Sequence, residues 1–553
     1  MRKYSAYFNK RSRLHRKPEL EGPGPELLAP LDPDQLPETL SRLLQVQNDF
    51  FPCFDWTFPP PLLSKSSSPS TISELFSEPS VIPDRYSLYL HSPFCKSLCS
   101  FCYYTVMPGK GIAESATYVD YLVREMALYA DRMKAAVCES IYFGGGTPTH
   151  LDDELLIKLF ENMHRKFNIA RDAEITIEAA PGTLAIEKVR LLKLLGVNRL
   201  SYGIQTLDEA LLAGLNRHYS VNEAMVELEH ALEIIGNVNI DTMYGFDNEP
   251  DDALEATLDK FHRMGIPSLS IYSLDKQRSE QKTEFLPPKD EQYERKIKQF
   301  SGATRFLNER GYQAVLQNVF IKPEQASYTH QLRRWDNLTL VALGIASQGY
   351  APKTPYQNIS TLKGYYRSID ADLLPIATVD HLSAEMELCR ELTSKLRFTE
   401  VDGNELSEKY GVNIFSVFKD LVSALVGMDF LEQDGSILRM TEESSYYNNI
   451  IPMLFSPDAF KETLLELPEE YLETFPVPYI LTQVGATQST DIRLKREPYE
   501  ALREDRRIQL DRRQEINPII SDRRYGEDRR FNQSRTGSGS AQSASLSEII
   551  SKI

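Results

Sequence analysis

Cys95, Cys99 and Cys102 follow a short apolar run, Tyr86 to Leu90, and make up half of the chain's six cysteines. Thiolates are soft ligands suited to iron–sulfur clusters. Three of them can bind three irons of a 4Fe–4S cluster and leave the fourth iron open to another ligand. Four would close the cluster and suit plain electron transfer. The bland alternative is a chance clustering of small buried hydrophobes. Cys53, Cys138 and Cys389 are scattered and fit single buried thiols, with a fourth cluster ligand among them as the other choice.

Further polar groups stand at the ends of apolar runs. Gly144-Gly145-Gly146-Thr147-Pro148-Thr149 follows Ile141–Phe143, and glycines let backbone amides and carbonyls approach a ligand closely. Glu178 follows Ile175 and Ile177 in the opposite phase. It reads either as an inward carboxylate that accepts hydrogen bonds or as a surface glutamate. Gln205 ends Ser201-Tyr202-Gly203-Ile204-Gln205 and offers a donor and an acceptor. Arg217 lies twelve residues on and offers a cationic fork. Asp241 closes the list, within Ile240-Asp241-Thr-Met-Tyr244-Gly245.

Short apolar strands alternate with helical patterns from about 84 to 350. Ser140–Phe143 precedes Asp152–Lys166, and Glu174–Glu178 precedes Ile186–Leu195. Arg199–Ile204 precedes Val221–Ile235, Asn237–Met243 precedes Asp251–Met264, and Ser268–Leu274 continues the series. That rhythm predicts an α/β fold, a parallel sheet with outer helices, either open or curled. In barrels of this kind the site gathers at the C-terminal ends of the strands. Residues 380–443 switch to helices, with Ser383 as a helix N-cap, Glu405–Tyr410 and Phe415–Leu425 as further helices, and a small strand at Ile437–Met440.

Residues 1–80 are rich in Pro, Ser and Gly and read as a flexible extension. The first residues, Arg2 to Lys17, carry seven cations before any acid. A solvated tail explains them better than an organelle-targeting peptide. Over 446–553, Asp-Arg-Arg recurs at Asp505, Asp511, Asp522 and Asp528. Such forks could recognise an anion, but interleaved acids favour a self-neutralised, partly disordered tail. The expected division is therefore 1–80, a barrel over 81–370, a helical domain over 371–445, and the tail.

The chain has 553 residues, 41% of them hydrophobic and 25% charged, as in ordinary globular proteins. A net charge of −17 argues against a general nucleic-acid binder, which needs a basic surface. No run of about 18 apolar residues predicts a transmembrane segment. Clustered thiols without a secretory signal fit a reducing, cytoplasmic location.

Tyr89-Leu-His91-Ser-Pro93-Phe94-Cys95-Lys-Ser-Leu-Cys99-Ser-Phe101-Cys102 resembles the cluster loop of the oxygen-independent coproporphyrinogen III oxidase family of radical S-adenosylmethionine (SAM) enzymes. That family also includes heme chaperones, anaerobic heme-degrading enzymes, and radical methyltransferases and cyclopropanases. The resemblance implies a partial (β/α)6 barrel followed by a small winged-helix-like domain with a lid or docking role. It implies that Cys95, Cys99 and Cys102 bind a 4Fe–4S cluster whose electron cleaves SAM to methionine and a 5′-deoxyadenosyl radical. It further implies SAM contacts from Tyr89, Phe101, Gly144, Gly145, Gly146 and Thr147, and from Glu178, Gln205, Arg217 and Asp241. Tyr89 and Tyr104 are the candidate catalytic groups, the latter by position alone. A reduced flavodoxin- or ferredoxin-type electron donor is the implied partner.

Two departures bear on the branch. Tyr104 stands where the oxidase proper carries a further cysteine, while Thr176–Thr183 looks more like the chaperone and methyltransferase branches. Tyr328-Thr-His330-Gln331-Leu-Arg-Arg334-Trp335 resembles the HNxxYW element of the heme chaperones, with Gln331 and Arg334 in place of Asn and Tyr. His330 is accordingly either a heme candidate or a structural histidine. Two functions remain open. One is an enzyme that oxidises or modifies a tetrapyrrole or another organic substrate, with methylation among the modifications open to it. The other is a heme-binding chaperone with cluster and SAM but little turnover. The intact SAM-site elements favour the enzyme.

Overall fold

The computed structural model describes residues 75–76 and 83–456, apart from 103, 247–248, 275–289, 317, 398–399, 442–443 and 445–450. The expected extension over 1–80 and tail over 446–553 therefore lie outside the described residues, except for 75–76 and 451–456. The first of these exceptions is no loose end. Phe76 is buried, with its ring 6.0 Å from Tyr129 and 6.2 Å from Tyr356.

Strands are β1 (Arg85–Ser92), β2 (Phe94–Cys95), β3 (Met107–Pro108), β4 (Val137–Gly145), β5 (Ile169–Ala179), β6 (Arg199–Gln205), β7 (Val238–Tyr244) and β8 (Ser268–Ser273). Helices α1 (Ile112–Ala130), α2 (Asp153–Lys166), α3 (Ile186–Leu194), α4 (Glu209–Gly214), α5 (Val221–Ile234) and α6 (Ala253–Arg263) alternate with them. Strands β1, β4, β5, β6, β7 and β8 lie side by side in that order, each parallel to the next.

The sequence dictates which way each strand faces. In β6, Leu200, Tyr202 and Ile204 join the main core, and the Tyr202 hydroxyl reaches Glu227 of α5 at 2.7 Å. The alternate residues Arg199, Ser201 and Gly203 face the other side, where Ser201 bonds Asp241. Burying each apolar side chain contributes about 1.5–3 kcal/mol, which fixes this register against a one-residue slip.

The sheet is larger than the alternation predicts. After α7 (Asp290–Glu309) come β9 (Gln313–Leu316), β10 (Val319–Ile321), α8 (Thr329–Trp335), β11 (Leu340–Leu343), β12 (Gln348–Ala351), β13 (Thr354–Asn358), α9 (Leu362–Asp370) and β14 (Ile376–Val379). β11 pairs parallel to β1, and the remaining additions are antiparallel, giving one sheet of 12 strands. Glu125 of α1 fastens these additions: its buried carboxylate accepts from Gly344 N–H (2.7 Å), Tyr365 O–H (2.6 Å) and Asn358 (2.9 Å).

A second apolar core lies over α10 (Ala384–Leu396), β15 (Glu400–Asp402), α11 (Gly403–Tyr410), α12 (Ile414–Val417), α13 (Lys419–Gly427), β16 (Leu431–Asp434) and β17 (Ile437–Met440). Ser383 does cap α10, accepting from Met386 N–H at 3.3 Å. The single expected strand is one of three, ordered β15-β17-β16. The expected helix Phe415–Leu425 breaks at Phe418, whose ring packs on Phe455 at 5.2 Å.

Candidate active site

The cysteine loop is held by its flanks. Phe94 and Cys95 pair with Met107 and Pro108, so β2 and β3 bracket the loop. Gly109 N–H donates to Cys95 O at 3.0 Å. The far side rests on the segment after α4, where Ser100 N–H meets Leu215 O at 3.1 Å and Asn216 reaches Leu98 O at 2.6 Å. Cys95, Cys99 and Cys102 are free thiols, each half-buried. Burial pushes the Cys95 thiol up to about 12; the Thr147 hydroxyl opposes the rise, and Cys102 and Cys99 add to it, so the three sulfurs feel one another.

The glycine run is fitted against that loop. Gly146 N–H donates to Ser92 O at 2.6 Å, Thr147 N–H to Phe94 O at 2.8 Å, and the Thr147 hydroxyl points to Cys95 Sγ at 3.7 Å. A Cβ on Gly146 would lie 2.6 Å from Phe94 O and 2.8 Å from Cys95 Sγ. Gly145 adopts φ +112°, and a Cβ there would strike His91 at 2.5 Å. These close approaches require glycine.

Glu178 is no surface residue. Tyr142 O–H donates to its Oε1 at 2.7 Å and Gly145 N–H to its Oε2 at 3.0 Å. Burial raises the Glu178 carboxyl to about 7, against the Tyr142 and Gly145 bonds that favour the carboxylate. Asp241 accepts from Ser201 O–H (3.2 Å) and Asn239 (2.8 Å), and burial raises it too. Tyr89 stacks on Tyr142 with centroids 6.2 Å apart. The His91 Nε2–H donates to Thr105 O at 2.9 Å, which leaves Nδ1 to accept from Tyr89 O–H at 3.1 Å. Burial lowers His91 to about 4, in keeping with a neutral ring.

Gln205, Arg217 and Phe101 form a further group. Gln205 takes φ +71° where β6 ends, at a register shift. Arg217 donates to Gly203 O at 2.6 Å and lies 5.6 Å from the Phe101 ring centroid. Phe101 packs with Leu215, Met243, Phe246 and Leu274, so the loop after β1 meets the ends of β7 and β8. The sheet must curl for these ends to share one apolar cluster.

The donor set fits a cluster and SAM. Three thiols face one locale, glycine backbone leaves room beside Cys95, and the buried Arg217 Nε has no hydrogen-bond partner among the described residues. No three His, Cys, Asp or Glu among the described residues converge on a single ion position. Ligands to three different irons need not do so, because each meets a separate corner of the cluster.

The other two candidates stand elsewhere. Tyr104 is 54% exposed at the loop's outer side. His330 is 2% exposed, its Nδ1 3.1 Å from Ser140 Oγ and its ring 5.3 Å from Tyr142. Burial lowers it to about 3. The imidazole is thus enclosed between Ser140 and Tyr142. Its helix is anchored by Glu174, which accepts from Ser327 O–H (2.6 Å), Thr329 N–H (2.8 Å) and His330 N–H (3.0 Å). The sequence reading missed Tyr142, His91 and Ser201. The same strand alternation that singled out Glu178 places Tyr142 in phase with Gly144 and Ser201 in phase with Gly203.

Residues 89–261 match the model of the radical SAM superfamily. The heme chaperone HemW of Bacillus subtilis is 27% identical over 378 residues, covering 66% of this chain and 97% of the relative. The oxygen-independent coproporphyrinogen III oxidase of Synechocystis is 26% identical over 428 residues, covering 73% of this chain and 90% of the relative. This chain belongs to the radical SAM superfamily, in its coproporphyrinogen III oxidase-like family. The radical SAM superfamily is an enzyme superfamily. The fold agrees: the structure of coproporphyrinogen III oxidase (HemN) from Escherichia coli superposes with a TM-score of 0.62 at 22% identity, covering 70% of this radical SAM chain and 93% of that one. The chain is an α/β barrel of the radical SAM kind, with helices and strands beyond the core barrel. Among the described residues of this radical SAM protein, no helix is long and apolar enough to cross a membrane.

Proposed function

We propose that this chain is a radical SAM enzyme acting on a tetrapyrrole or a related organic substrate, with Cys95, Cys99 and Cys102 holding a 4Fe–4S cluster. The observation that carries the reading is the joining of three free thiols, a glycine backbone and the half-buried Glu178 in one place. When bound, the cluster supplies an electron and SAM supplies the group that abstracts hydrogen from the substrate.

The chain's own residues bind and orient. The Thr147 hydroxyl points at the Cys95 sulfur and would temper its charge. Gly144, Gly145 and Gly146 would admit the methionine end of SAM. Glu178, poised near 7, would give up its proton beside the SAM ammonium, since an adjacent cation favours the carboxylate. Arg217 carries an unsatisfied Nε–H for a carboxylate, with Gln205 and Phe101 beside it. Asp241, held by Ser201 and Asn239, would accept from ribose hydroxyls. Tyr89, oriented by His91, would line the reacting space, while Tyr104 would meet only what approaches from the rim.

The domain division proposed is a barrel over 81–370 and a helical part over 371–445 acting as a lid. Leu382 and Met386 support it, because they pack in the same small cluster as Tyr89. The electron would come from a reduced flavodoxin- or ferredoxin-type protein. Tetrapyrrole chemistry rests on the named activities of the relatives. The heme-carrier reading is supported by the relative named a heme chaperone, and the burial of His330 speaks for the enzyme instead.

The test is mass spectrometry of SAM products after anaerobic cluster reconstitution and reduction, with coproporphyrinogen III or heme added. Deoxyadenosine supports the enzyme; S-adenosylhomocysteine beside it assigns methyl transfer. Neither product from a fully loaded cluster overturns the enzyme reading in favour of heme carriage.

A further inference from the structure

Glu227 of α5 stands outside every role assigned above, yet it reaches the loop that follows β5. Its Oε2 accepts from Gly182 N–H at 3.0 Å and from Tyr202 O–H at 2.7 Å, and its Oε1 accepts from Leu184 N–H at 3.3 Å. No cation among the described residues pairs with this carboxylate. Tyr202 is a fully buried residue of β6, so the core itself aims the glutamate. Hydrogen bonds to a charged acceptor are about twice as strong as neutral ones. A half-buried helix side chain thus spends its charge on the backbone between β5 and α3.

That loop, Ala180 to Leu184, continues directly from Glu178. Within it, Thr183 O–H donates to Ala180 O at 2.6 Å. The Thr183 proton is then spent, so Thr149 O–H donates to Thr183 Oγ1, 2.7 Å away. Thr149 is 2% exposed and belongs to the Pro148–His150 turn, where His150 N–H donates to Thr147 O at 2.8 Å. The Thr147 hydroxyl in turn points to Cys95 Sγ. A continuous line of hydrogen bonds and short turns therefore runs from Glu227 on the outer layer, past the Glu178 loop, to the cysteine loop. Without Glu227 the exposed Gly182 and the residues around it would carry unpaired backbone N–H groups. Ordering such a loop costs entropy, and a loop ordered only when its ligand arrives charges that cost to binding.

We propose that Glu227 is a positioning residue for SAM: it moors the Ala180–Leu184 loop and, through Thr183 and Thr149, holds Glu178 and the glycine run at their mutual spacing before SAM arrives. The inference deepens the radical SAM reading and rests on it, since it takes Glu178 and the glycine run as the place of SAM. Glu227 touches no part of SAM. It acts through the loop alone.

The test is equilibrium binding of SAM to the cluster-reconstituted full chain and its variants. Glu227→Gln should weaken SAM about tenfold, because an amide offers one acceptor oxygen where the carboxylate offers two. Tyr202→Phe keeps the buried ring but removes the donor that aims the carboxylate, and should weaken SAM about threefold. Thr183→Val should cost about tenfold, while Thr183→Ser, which keeps the hydroxyl, should bind as the wild type does. The two tenfold losses should not add: the Glu227→Gln, Thr183→Val double variant should bind within about threefold of either single one, as expected of groups acting through one link. A purely structural role would leave the losses independent, so a loss of about a hundredfold in the double variant overturns the mooring. Wild-type affinity in both Tyr202→Phe and Thr183→Val overturns it as well, even where Glu227→Gln does not fold. A wild type that loads its cluster but binds no SAM overturns the radical SAM reading, and the mooring with it.

Discussion

The Tyr142 hydroxyl donates to Glu178 Oε1 at 2.7 Å, and the same ring lies in stacked orientation to Tyr89. One side chain therefore orients both the carboxylate proposed for SAM and the phenol proposed to face the substrate.

Tyr142→Phe tests this link. The Tyr142 bond favours the charged form of Glu178, whose carboxyl burial has raised from 4.5 to about 7. Losing the bond raises it further, by up to about one unit. The pH midpoint of SAM affinity should move upward, read by equilibrium binding between pH 6 and 9. An unmoved midpoint would separate Glu178 from SAM binding.

Gly146→Ala should cost the cluster rather than the fold. Its new Cβ meets Phe94 O at 2.6 Å and Cys95 Sγ at 2.8 Å, so the cysteine loop must shift. Gly214→Ala, where nothing lies within 4 Å, is the control. Iron content after reconstitution should fall in the first variant alone, with thermal midpoints preserved in both.

Cys99→Ala should abolish the broad absorbance of a 4Fe–4S centre, roughly near 400 nm. A retained band and full iron content would move the cluster elsewhere.

Glu391→Gln should destabilise by about 3 kcal/mol, because it takes the buried carboxylate away from the largely enclosed Lys395. Glu391, 1% exposed at its side chain, bonds Lys409 at 2.6 Å and Lys395 at 3.0 Å. Burial would raise its carboxyl, but the two lysines win and hold it at about 2, below its ordinary 4.5. Its stabilisation is present above pH 4.5 and lost as the pH falls towards 2. Denaturant unfolding across that range should show the slope in the wild type and a flatter one in the variant.

Glu125 works in the opposite direction. Burial raises it from 4.5 to about 7 despite three donors, so the folded chain holds an extra proton in between. Its contribution is full below pH 4.5 and lost as the pH rises through 7, by up to about 3 kcal/mol. Chemical unfolding at pH 5.5 and 8 should show the decline in the wild type. Glu125→Ala should be less stable at both values and should lose that difference.

The sequence carried the parallel strands because each pairs alternation with a following helix, and it carried Glu178 because Ile175 and Ile177 set the phase. The short strands added after the alternating units escaped it. β9 to β14 span three to five residues each, too few for a period to register. Arg199 escaped for another reason. An arginine opening a strand reads as exposed, yet it is 1% exposed and bonds Ser327 O at 3.1 Å, a partner 128 residues away. The break at Phe418 is likewise set by tertiary packing, here on Phe455. His330 showed only its type; its place beside Ser140 depends on Glu174, which no local pattern links to it.

The pairing of β1 with β11 sets a schedule for biosynthesis. Ser87 aligns with Leu340 and Leu90 with Leu343, so the strand that leads into the cysteines gains its second neighbour from some 250 residues downstream. Closing so long a loop is entropically slow. A nascent chain that has not yet emerged past residue 343 presents its cysteine loop from an unprotected sheet edge. Loading of the proposed cluster into a finished site would therefore follow the synthesis of residue 343, and a ribosome stalled within the barrel would leave the three thiols beside an unpaired strand.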